Sequence, residues 1–253
     1  MSDRRYSKPD PVEEDVAAIP SEPQVGYSTA PEILAQIEGT KYTKAENVYL
    51  PKAFVVVFSN GEVRERNYFV WIMHHCERLK LEFISNPISP DDLLVDIKAK
   101  KAEYDSTAGE GTPDTYFMVT DMDHFYSVIL RSKPDYEKED IKMIVSNPCF
   151  EVWLYYSKRS DKFDGFVFPD DPLKTSREVK RFLNEQIPGG CNPKKAVFDI
   201  KVNIVNARNN YCEDSNGIPD LFATNMFVLA EEVLPYIEEE LEIMKGEKGR
   251  INP

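Results

Sequence analysis

The feature that most constrains the fold is an unbroken run of β-branched and aromatic residues at 53–58, which reads Ala-Phe-Val-Val-Val-Phe. A strand with one face in water alternates apolar and polar side chains, whereas a strand buried on both faces does not. Such a run is therefore typical of a central strand in a parallel sheet. Ser59-Asn60-Gly61 follows it and predicts a tight turn, because glycine tolerates backbone angles that other residues avoid.

Strand and helix patterns alternate after this first strand. Strand patterns recur at 81–84, 115–120 and 141–145. Apolar residues at helical spacing predict helices at 64–79, 93–104 with a capped start at 89–92, near 124–131, and then at 148–158, 175–186, 197–210 and 225–244. A charged loop is predicted between the helix near 124–131 and the strand at 141–145. Parallel strands are joined by crossover connections that usually contain a helix. We therefore predict an α/β fold with a mostly parallel sheet flanked by helices and a helical C-terminal cap.

The pattern also divides the chain into three parts. Residues 1–45 are rich in Pro, Ser and Glu and show little apolar periodicity, which predicts a partly disordered arm with at most a short helix at 31–38. Residues 46–160 contain all the strand patterns and form the predicted core. Residues 161–253 are predicted to be a helical region packed on that core.

Composition limits the cellular setting. The chain has 253 residues, of which 42% are hydrophobic, so a proper core can form. It contains no apolar run of about 18 residues, and its first residues lack the apolar core of a signal peptide. Its four cysteines are widely spaced, which favours reduced thiols over a zinc site or a disulfide framework. We expect a cytoplasmic protein with no membrane contact.

The net charge of −13 bears on the ligand. Non-specific nucleic-acid binding depends on neutralising phosphates, so this charge argues against a broadly basic binding surface. It leaves room for a local basic groove. It also suits a site rich in carboxylates that recruits divalent cations.

The first candidate site motif is Asp121-x-Asp123, directly after the third strand. In open α/β sheets, ligands bind beyond the carboxyl ends of the strands. Residues at i and i+2 of an extended chain point to the same side, so the two carboxylates can together hold Mg²⁺, which prefers oxygen ligands. The alternative is that these acids only cap a helix or lie in a solvated loop.

The second motif is Asn60-Gly61-Glu62-x-x-Glu65, directly after the first strand. The glycine permits a sharp turn from strand to helix. Glu62 and Glu65 then lie in the first helical turn. They are either site carboxylates or acids placed there because the helix dipole favours negative charge at that end.

The third motif is Ser-Asn-Pro-Cys-Phe-Glu at 146–151, directly after the fourth strand. Ser146 or Asn147 can cap a helix that has proline in its first turn, and Glu151 stands where the acid of a capping box stands. The functional alternative makes Glu151 a third acid at the edge of the sheet. Cys149 is a further candidate, as a thiolate at a helix N-terminus.

Taken in order, these motifs resemble the RloB family. The resemblance spans about residues 53–243 and rests on Gly61–Phe69, Asp121-x-Asp123 and the run Ser-Asn-Pro-Cys-Phe-Glu-Val-Trp-Leu at 146–154. RloB-like proteins look like members of the Toprim superfamily, whose acids bind Mg²⁺ for phosphodiester chemistry. The resemblance thus implies a Toprim-like sheet and Mg²⁺ or Mn²⁺ as cofactor. It also implies a role in antiphage abortive infection, in which related effectors are thought to cut RNA, including tRNA.

Several positions match the family motifs residue by residue: Glu65, Tyr68, Phe69, Asp121, Asp123 and Glu151. Two positions depart from them. Asn60 stands where the family usually has the Toprim glutamate, and Ser157 stands where it often has a histidine. An asparagine can offer its carbonyl oxygen to a metal but cannot act as a general base near neutral pH. Either Glu62 replaces the missing acid or the site binds without efficient cleavage.

Two functional hypotheses follow, beside the plainer one of an unrelated α/β protein whose acids only cap helices. The first is a metal-dependent nuclease acting on RNA or DNA, with metal ligands Asn60, Asp121 and Asp123. Glu62, Glu65 and Glu151 would complete the shell or position water. Nucleic acid would be bound by one of two sets of basic residues: Lys174, Arg177, Lys180 and Arg181, or Lys194, Lys195 and Arg208. An exposed helix face explains the same charges equally well. The second is a catalytically degenerate module that pairs with an ATPase or binds nucleotide or nucleic acid. Homo-oligomerisation is compatible with both.

Overall fold

The computed structural model describes residues 55–59, 61, 63–75, 79–84, 89–106, 115–162, 166–167 and 174–251. The predicted arm at 1–45, including its short helix, lies outside these ranges. The described strands are β1 (Val55–Ser59), β2 (Leu79–Phe83), β3 (Thr115–Asp121) and β4 (Ile141–Ser146). The described helices are α1 (Arg64–His75), α2 (Pro90–Ser106), α3 (Tyr126–Lys138), α4 (Glu151–Tyr155), α5 (Thr175–Glu185), α6 (Pro193–Phe198), α7 (Ile200–Asn209) and α8 (Met226–Ile251).

The four strands form one parallel sheet in the order β2-β1-β3-β4. In the centre, Val55 of β1 is in register with Leu79 of β2 on one side and with Thr115 of β3 on the other. The chain thus builds outward from β1 in one direction and then crosses back to continue in the other. This reversal makes the gap between β1 and β3 a topological switch point, which is where open α/β sheets bind ligands.

Both faces of β1 are buried, as its apolar run predicts. Val55 and Val57 belong to a large hydrophobic cluster that also contains residues of α1, α4, α5, α7 and α8. Val56 and Phe58 point the other way, into a cluster with α2 and with Tyr136 of α3. Helices therefore cover the sheet on both faces, and the predicted α/β fold is confirmed.

Several predicted element boundaries were wrong. The helix predicted at 148–158 is shorter, since α4 covers Glu151–Tyr155, and the helix predicted at 225–244 continues to Ile251. The first helix was predicted to continue to Leu79, but α1 ends at His75 and Leu79 opens β2. Leu79 is buried by pairing with β1 rather than by helical packing. The charged segment after residue 131 was predicted to be a loop, but α3 continues through Pro134 to Lys138. Its charges are tolerated because most lie on the exposed side, while Tyr136 is fully buried.

The C-terminal region is helical, as predicted, with one break. The helix predicted at 197–210 is divided at Asp199, which separates α6 from α7. Helix α8 presents to the large cluster a set of apolar residues three or four positions apart: Met226, Leu229, Ala230, Val233, Ile237 and Leu241. The large hydrophobic cluster contains residues from both sides of position 160. The predicted boundary between the core and the C-terminal region at 160/161 stays a prediction. No helix in the described part of the chain is long and apolar enough to cross a membrane.

Candidate functional site

A cleft opens at the carboxyl ends of β1 and β3, at the switch point of the sheet. We call it the β1–β3 cleft. Its volume is about 460 Å³. Its walls are formed by Gly61, Val63, Arg64, Glu65, Thr120, Asp121, Asp123, Phe125, Glu151 and Lys180. Four of the five acids predicted as site residues therefore line one cleft, although they come from three separate segments of the chain. Asn60 and Glu62, the other two predicted residues of the β1 end, lie outside the described residues.

Asp121 is the last residue of β3 and carries the most perturbed carboxylate of the cleft. Its Oδ1 accepts a hydrogen bond from the backbone N–H of Phe150 at 2.7 Å, and its Oδ2 accepts one from Lys180 Nζ at 3.3 Å. Burial raises the pKa of this carboxyl well above its ordinary value. The negative charges of Glu65 and Glu151 add to the rise, and Lys180 only partly opposes it. Asp121 is thus a carboxylate crowded by other carboxylates.

Asp123 lies in a turn rather than in an extension of the strand. Its φ of 37° is left-handed, and its backbone N–H donates to Pro148 O at 2.9 Å. The expectation that Asp121 and Asp123 point to one side of an extended chain is therefore wrong in its geometry. Both side chains nevertheless line the cleft, because the turn folds Asp123 back toward the start of α4. The Asp123 side chain is 42% exposed and lies 3.5 Å from His124 Nδ1.

Glu65 enters the cleft from the first turn of α1, close over Gly61. A Cβ atom at Gly61 would lie 2.3 Å from Glu65 Cδ, so only glycine lets this carboxyl occupy its observed position. The Gly61 N–H also donates to Ser59 Oγ at 3.1 Å, which fixes the turn. Burial raises the pKa of Glu65 against the opposing effect of a backbone hydrogen bond, and the charge of Glu151 raises it further.

Glu151 is the most buried of the four acids, with 7% of its side chain exposed. Its Oε1 lies 3.7 Å from Nε of Arg64, the residue before Glu65. Arg64 is itself fixed by a second contact, since its Nη1 donates to the carbonyl of Cys191 in the turn between α5 and α6. A buried carboxylate needs such a partner, because an isolated buried charge is strongly unfavourable.

The start of α4 differs from the predicted capping box. Helix α4 begins at Glu151, and no side chain of its own segment caps it. Ser146 Oγ is hydrogen-bonded to Thr224 Oγ1 at 2.8 Å, and Asn147 Nδ2 donates to Pro219 O at 2.8 Å. The two predicted caps therefore tie β4 to the segment before α8. The carboxylate of Asp121 accepts the N–H at the helix start instead, which leaves the Glu151 side chain for the cleft.

An aromatic cluster holds the first turns of α1 and α4 together. The Tyr68 ring meets those of Phe150 and Trp153 edge-on, at centroid distances of 5.6 and 6.3 Å. Phe69 is packed against Phe150 at 6.3 Å. All four side chains are at most 1% exposed. Because Glu65 and Glu151 stand on these two helices, the cluster fixes their relative position.

Lys180 is the basic residue of α5 that reaches the cleft. Burial acts to lower the pKa of its ammonium, but the charges of Asp121 and Glu151 outweigh this and raise it. Its side chain is still 41% exposed, so Lys180 is both paired with Asp121 and accessible from the cleft.

The other three basic residues predicted together with Lys180 do not line the described walls of the cleft. Lys174 and Arg177 are exposed. Arg181 forms ion pairs with Glu178 and Glu185 along α5. Of these four predicted basic residues, Lys180 alone lines the described walls of the cleft, and Arg64, which also lines it, was not predicted. The available signal for Arg64 was its place within the Glu-Val-Arg-Glu run at 62–65.

Cys149 does not have the properties of a nucleophile. It is fully buried, and burial raises the pKa of its thiol well above the ordinary value. The charges of Glu151 and Asp121 raise it further, since a thiolate there would be repelled by both. The hypothesis of a reactive thiolate at this position was therefore wrong.

The RloB-like protein family model matches residues 55–232, a range that contains every wall of the cleft. The chain belongs to the RloB-like family. Comparison with curated proteins finds no match, and comparison with solved structures finds none either. The three motifs of this RloB-like chain, distant in sequence, thus meet at one place: two contribute acids from α1 and α4, and the third contributes Asp121 and Asp123.

Proposed function

We propose that this RloB-like protein is a Mg²⁺- or Mn²⁺-dependent nuclease of the Toprim type and that the β1–β3 cleft is its active site. The observation that carries the proposal is the crowding of acids at the switch point. Glu65 and Asp121 have raised pKa values because each is buried and faces the charge of neighbouring carboxylates. Groups perturbed in this way concentrate at functional sites.

The donor set of the cleft fits a hard divalent cation in its chemistry. Asp121 and Asp123 supply carboxylate oxygens, and Glu65 and Glu151 supply more from the facing helices. Among the described residues, no three His, Cys, Asp or Glu side chains are already arranged as a metal-binding group. Instead, the ammonium of Lys180 donates a hydrogen bond to Asp121 Oδ2. A metal at Asp121 therefore requires Lys180 to leave that oxygen, which its partial exposure allows.

The roles of the chain's own residues follow from these positions. Asp121 and Asp123 would hold the metal, which when bound lowers the pKa of water and polarises a phosphate. Glu65 and Glu151 would complete its surroundings or orient water, and Arg64, 3.7 Å from Glu151 Oε1, would hold Glu151 in position. Lys180, once released from Asp121, is a cation free to meet a phosphate oxygen. The resemblance to RloB-like proteins supports RNA, tRNA included, as the substrate and antiphage defence with a partner ATPase as the setting.

The test is cleavage of total RNA and of plasmid DNA with Mg²⁺ or Mn²⁺. We expect products from the wild-type protein and none from the Asp121→Ala plus Asp123→Ala variant. Asp96→Ala is the matched control, because Asp96 is an exposed acid of α2 outside the cleft and its loss should leave cleavage unchanged. Equal activity in the wild type and the double variant would refute the proposal.

A second candidate function is favoured by the Lys180–Asp121 ion pair and by Asn60. A lysine that permanently neutralises Asp121 would make the cleft a binding site without metal chemistry, suited to nucleotide, nucleic acid or a partner ATPase. Calorimetric titration with Mn²⁺ separates the two functions. Binding that is lost in Asp121→Asn supports the nuclease, and no binding by wild-type protein supports the degenerate module.

A further inference from the structure

The β1–β3 cleft also contains two cations and an aromatic ring that metal binding does not use. Arg64 is held in place by Glu151 and by the Cys191 carbonyl, yet 36% of its side chain remains exposed. A guanidinium has five N–H donors in a fixed fork, so two contacts leave donors for an anion. The double tether means that little conformational entropy remains to be lost when an anion binds.

Lys180 provides the second cation of the same cleft. Its ammonium is 3.3 Å from Asp121 Oδ2, and its side chain is 41% exposed. Arg64 comes from the helix after β1 and Lys180 from α5, so the two cations approach the acids from different elements of the fold. Two cations beside buried carboxylates can bind a phosphodiester, because each can donate a charge-assisted hydrogen bond to a phosphate oxygen.

Phe125 contributes an apolar surface to the cleft. It follows the Asp123–His124 turn and packs partly on the cluster formed by Met122, Ile129 and Val145. It also packs against the His124 ring, with the ring centroids 4.1 Å apart and the ring planes tilted by 35°. A partly buried aromatic ring beside phosphate-binding groups is the usual platform for an unstacked base.

The size of the cleft limits what can use these groups together. A volume of about 460 Å³ lies within the range of pockets for small molecules. One nucleotide unit fits such a space, whereas a base inside a duplex stays stacked on its neighbours and cannot reach the ring.

We propose that the β1–β3 cleft takes one nucleotide of a single-stranded nucleic acid, with its phosphate at Arg64 and Lys180 and its base on Phe125. This inference rests on the proposed function in taking nucleic acid as the ligand. It adds the strand state of the substrate and a site for one base. Arg64 is a binding and positioning residue in this account, and Phe125 selects single strands.

The test is fluorescence anisotropy with a short labelled oligouridylate and with an RNA duplex of the same length, once in Ca²⁺ and once in EDTA. We expect the wild type to prefer the single strand. Phe125→Leu should weaken single-strand binding about five-fold or more, the lower end of base stacking on an aromatic side chain. Phe125→Tyr, which keeps the aromatic ring, should bind the single strand as tightly as the wild type.

Arg64 is tested through the salt dependence of the same binding. Arg64→Gln should reduce the slope of log affinity against log salt by about 0.7, the amount for one phosphate contact on a single strand. Arg66→Gln is the matched control, because Arg66 stands on the same helix but stacks on Phe83, which does not line the cleft. It should leave the slope unchanged. Thermal unfolding of each variant shows whether the fold is retained.

The results distinguish failure of the single-strand binding site from failure of the proposed nuclease activity. Equal binding of single strand and duplex, or full affinity in Phe125→Leu together with an unchanged slope in Arg64→Gln, overturns the inference even if the wild type cleaves RNA. Failure of the wild type to bind the single strand in either buffer also overturns it. Variant-sensitive single-strand binding without any cleavage supports the binding site and refutes the nuclease.

Discussion

The substitution Gly61→Ala changes the position of the Glu65 carboxylate without removing it. The added Cβ would lie 2.3 Å from Glu65 Cδ and 2.6 Å from Glu65 Oε2, whereas ordinary contacts begin near 3.4 Å. The carboxyl must therefore move by at least about 1 Å. A misplacement of this size costs on the order of 100-fold in rate when the group acts in the transition state. We expect Gly61→Ala to lower metal-dependent RNA cleavage by about that factor.

Stability should respond differently from activity. The backbone of Gly61 does not occupy the left-handed region, so alanine fits it and also reduces the entropy of the unfolded chain. The free energy of unfolding should therefore change by less than about 1 kcal/mol. Chemical denaturation measures this, and initial cleavage rates in Mn²⁺ measure activity. Gly246→Ala is the control, because its Cβ would meet no atom within 4 Å and cleavage should not change.

A double-mutant cycle with Glu65→Ala decides whether the effect acts through Glu65. Once the clashing side chain is removed, Gly61→Ala should cost nothing more in cleavage rate or in Mn²⁺ affinity, because the two substitutions act on one group. A further loss of about 100-fold in the Glu65→Ala background would show that Gly61→Ala does not act through Glu65. So would a Gly61→Ala variant that unfolds.

Further predictions concern the thiols and one surface acid. Cys149 and Cys191 are buried, and burial raises the pKa of Cys191 to about 12, so a thiol reagent at neutral pH should modify partly exposed Cys212 and spare both, as peptide mass spectrometry can show. Labelling of Cys149 in the folded protein would contradict its placement. A hydrogen bond from Lys101 lowers the pKa of Asp105 below its ordinary 3.8, so the charged form is favoured in the folded state. Because Asp105 is largely exposed, Asp105→Asn should cost no more than about 1 kcal/mol at pH 7. The difference should disappear as the pH falls below 3.8 through the lowered pKa, and unfolding curves across that range test it.

The strands were predictable because burial on both faces leaves a direct mark on the sequence. The run ending at Phe58 and the run from Thr115 each gave a strand within a residue or two of β1 and β3. Helix ends were less predictable. Leu79 fits a helical pattern equally well, and only its pairing with β1 assigns it to a strand.

The acidic residues of the site could be predicted from the sequence, but the hydrogen bonds and ion pairs between them and other segments could not. Asp121, Asp123 and the glutamates after β1 and β4 are marked by their place at strand ends. Nothing local shows that Asp121 accepts the N–H at the start of α4, because the two segments meet only in the folded sheet. Arg64 was missed for the same reason. Its partners, Glu151 and the Cys191 carbonyl, are far away in the chain, so it resembles an ordinary surface arginine of α1.

The nuclease proposal requires the β1–β3 cleft to bind a divalent metal through Asp121 and Asp123. The most direct measurement is the anomalous difference density of a crystal grown with saturating Mn²⁺. We predict one strong peak in contact with both carboxylates, at an oxygen distance of about 2.1 Å as for similar hard cations, and Lys180 displaced from Asp121. A map without a peak in the cleft, with Lys180 still bound to Asp121, would contradict metal binding at this site.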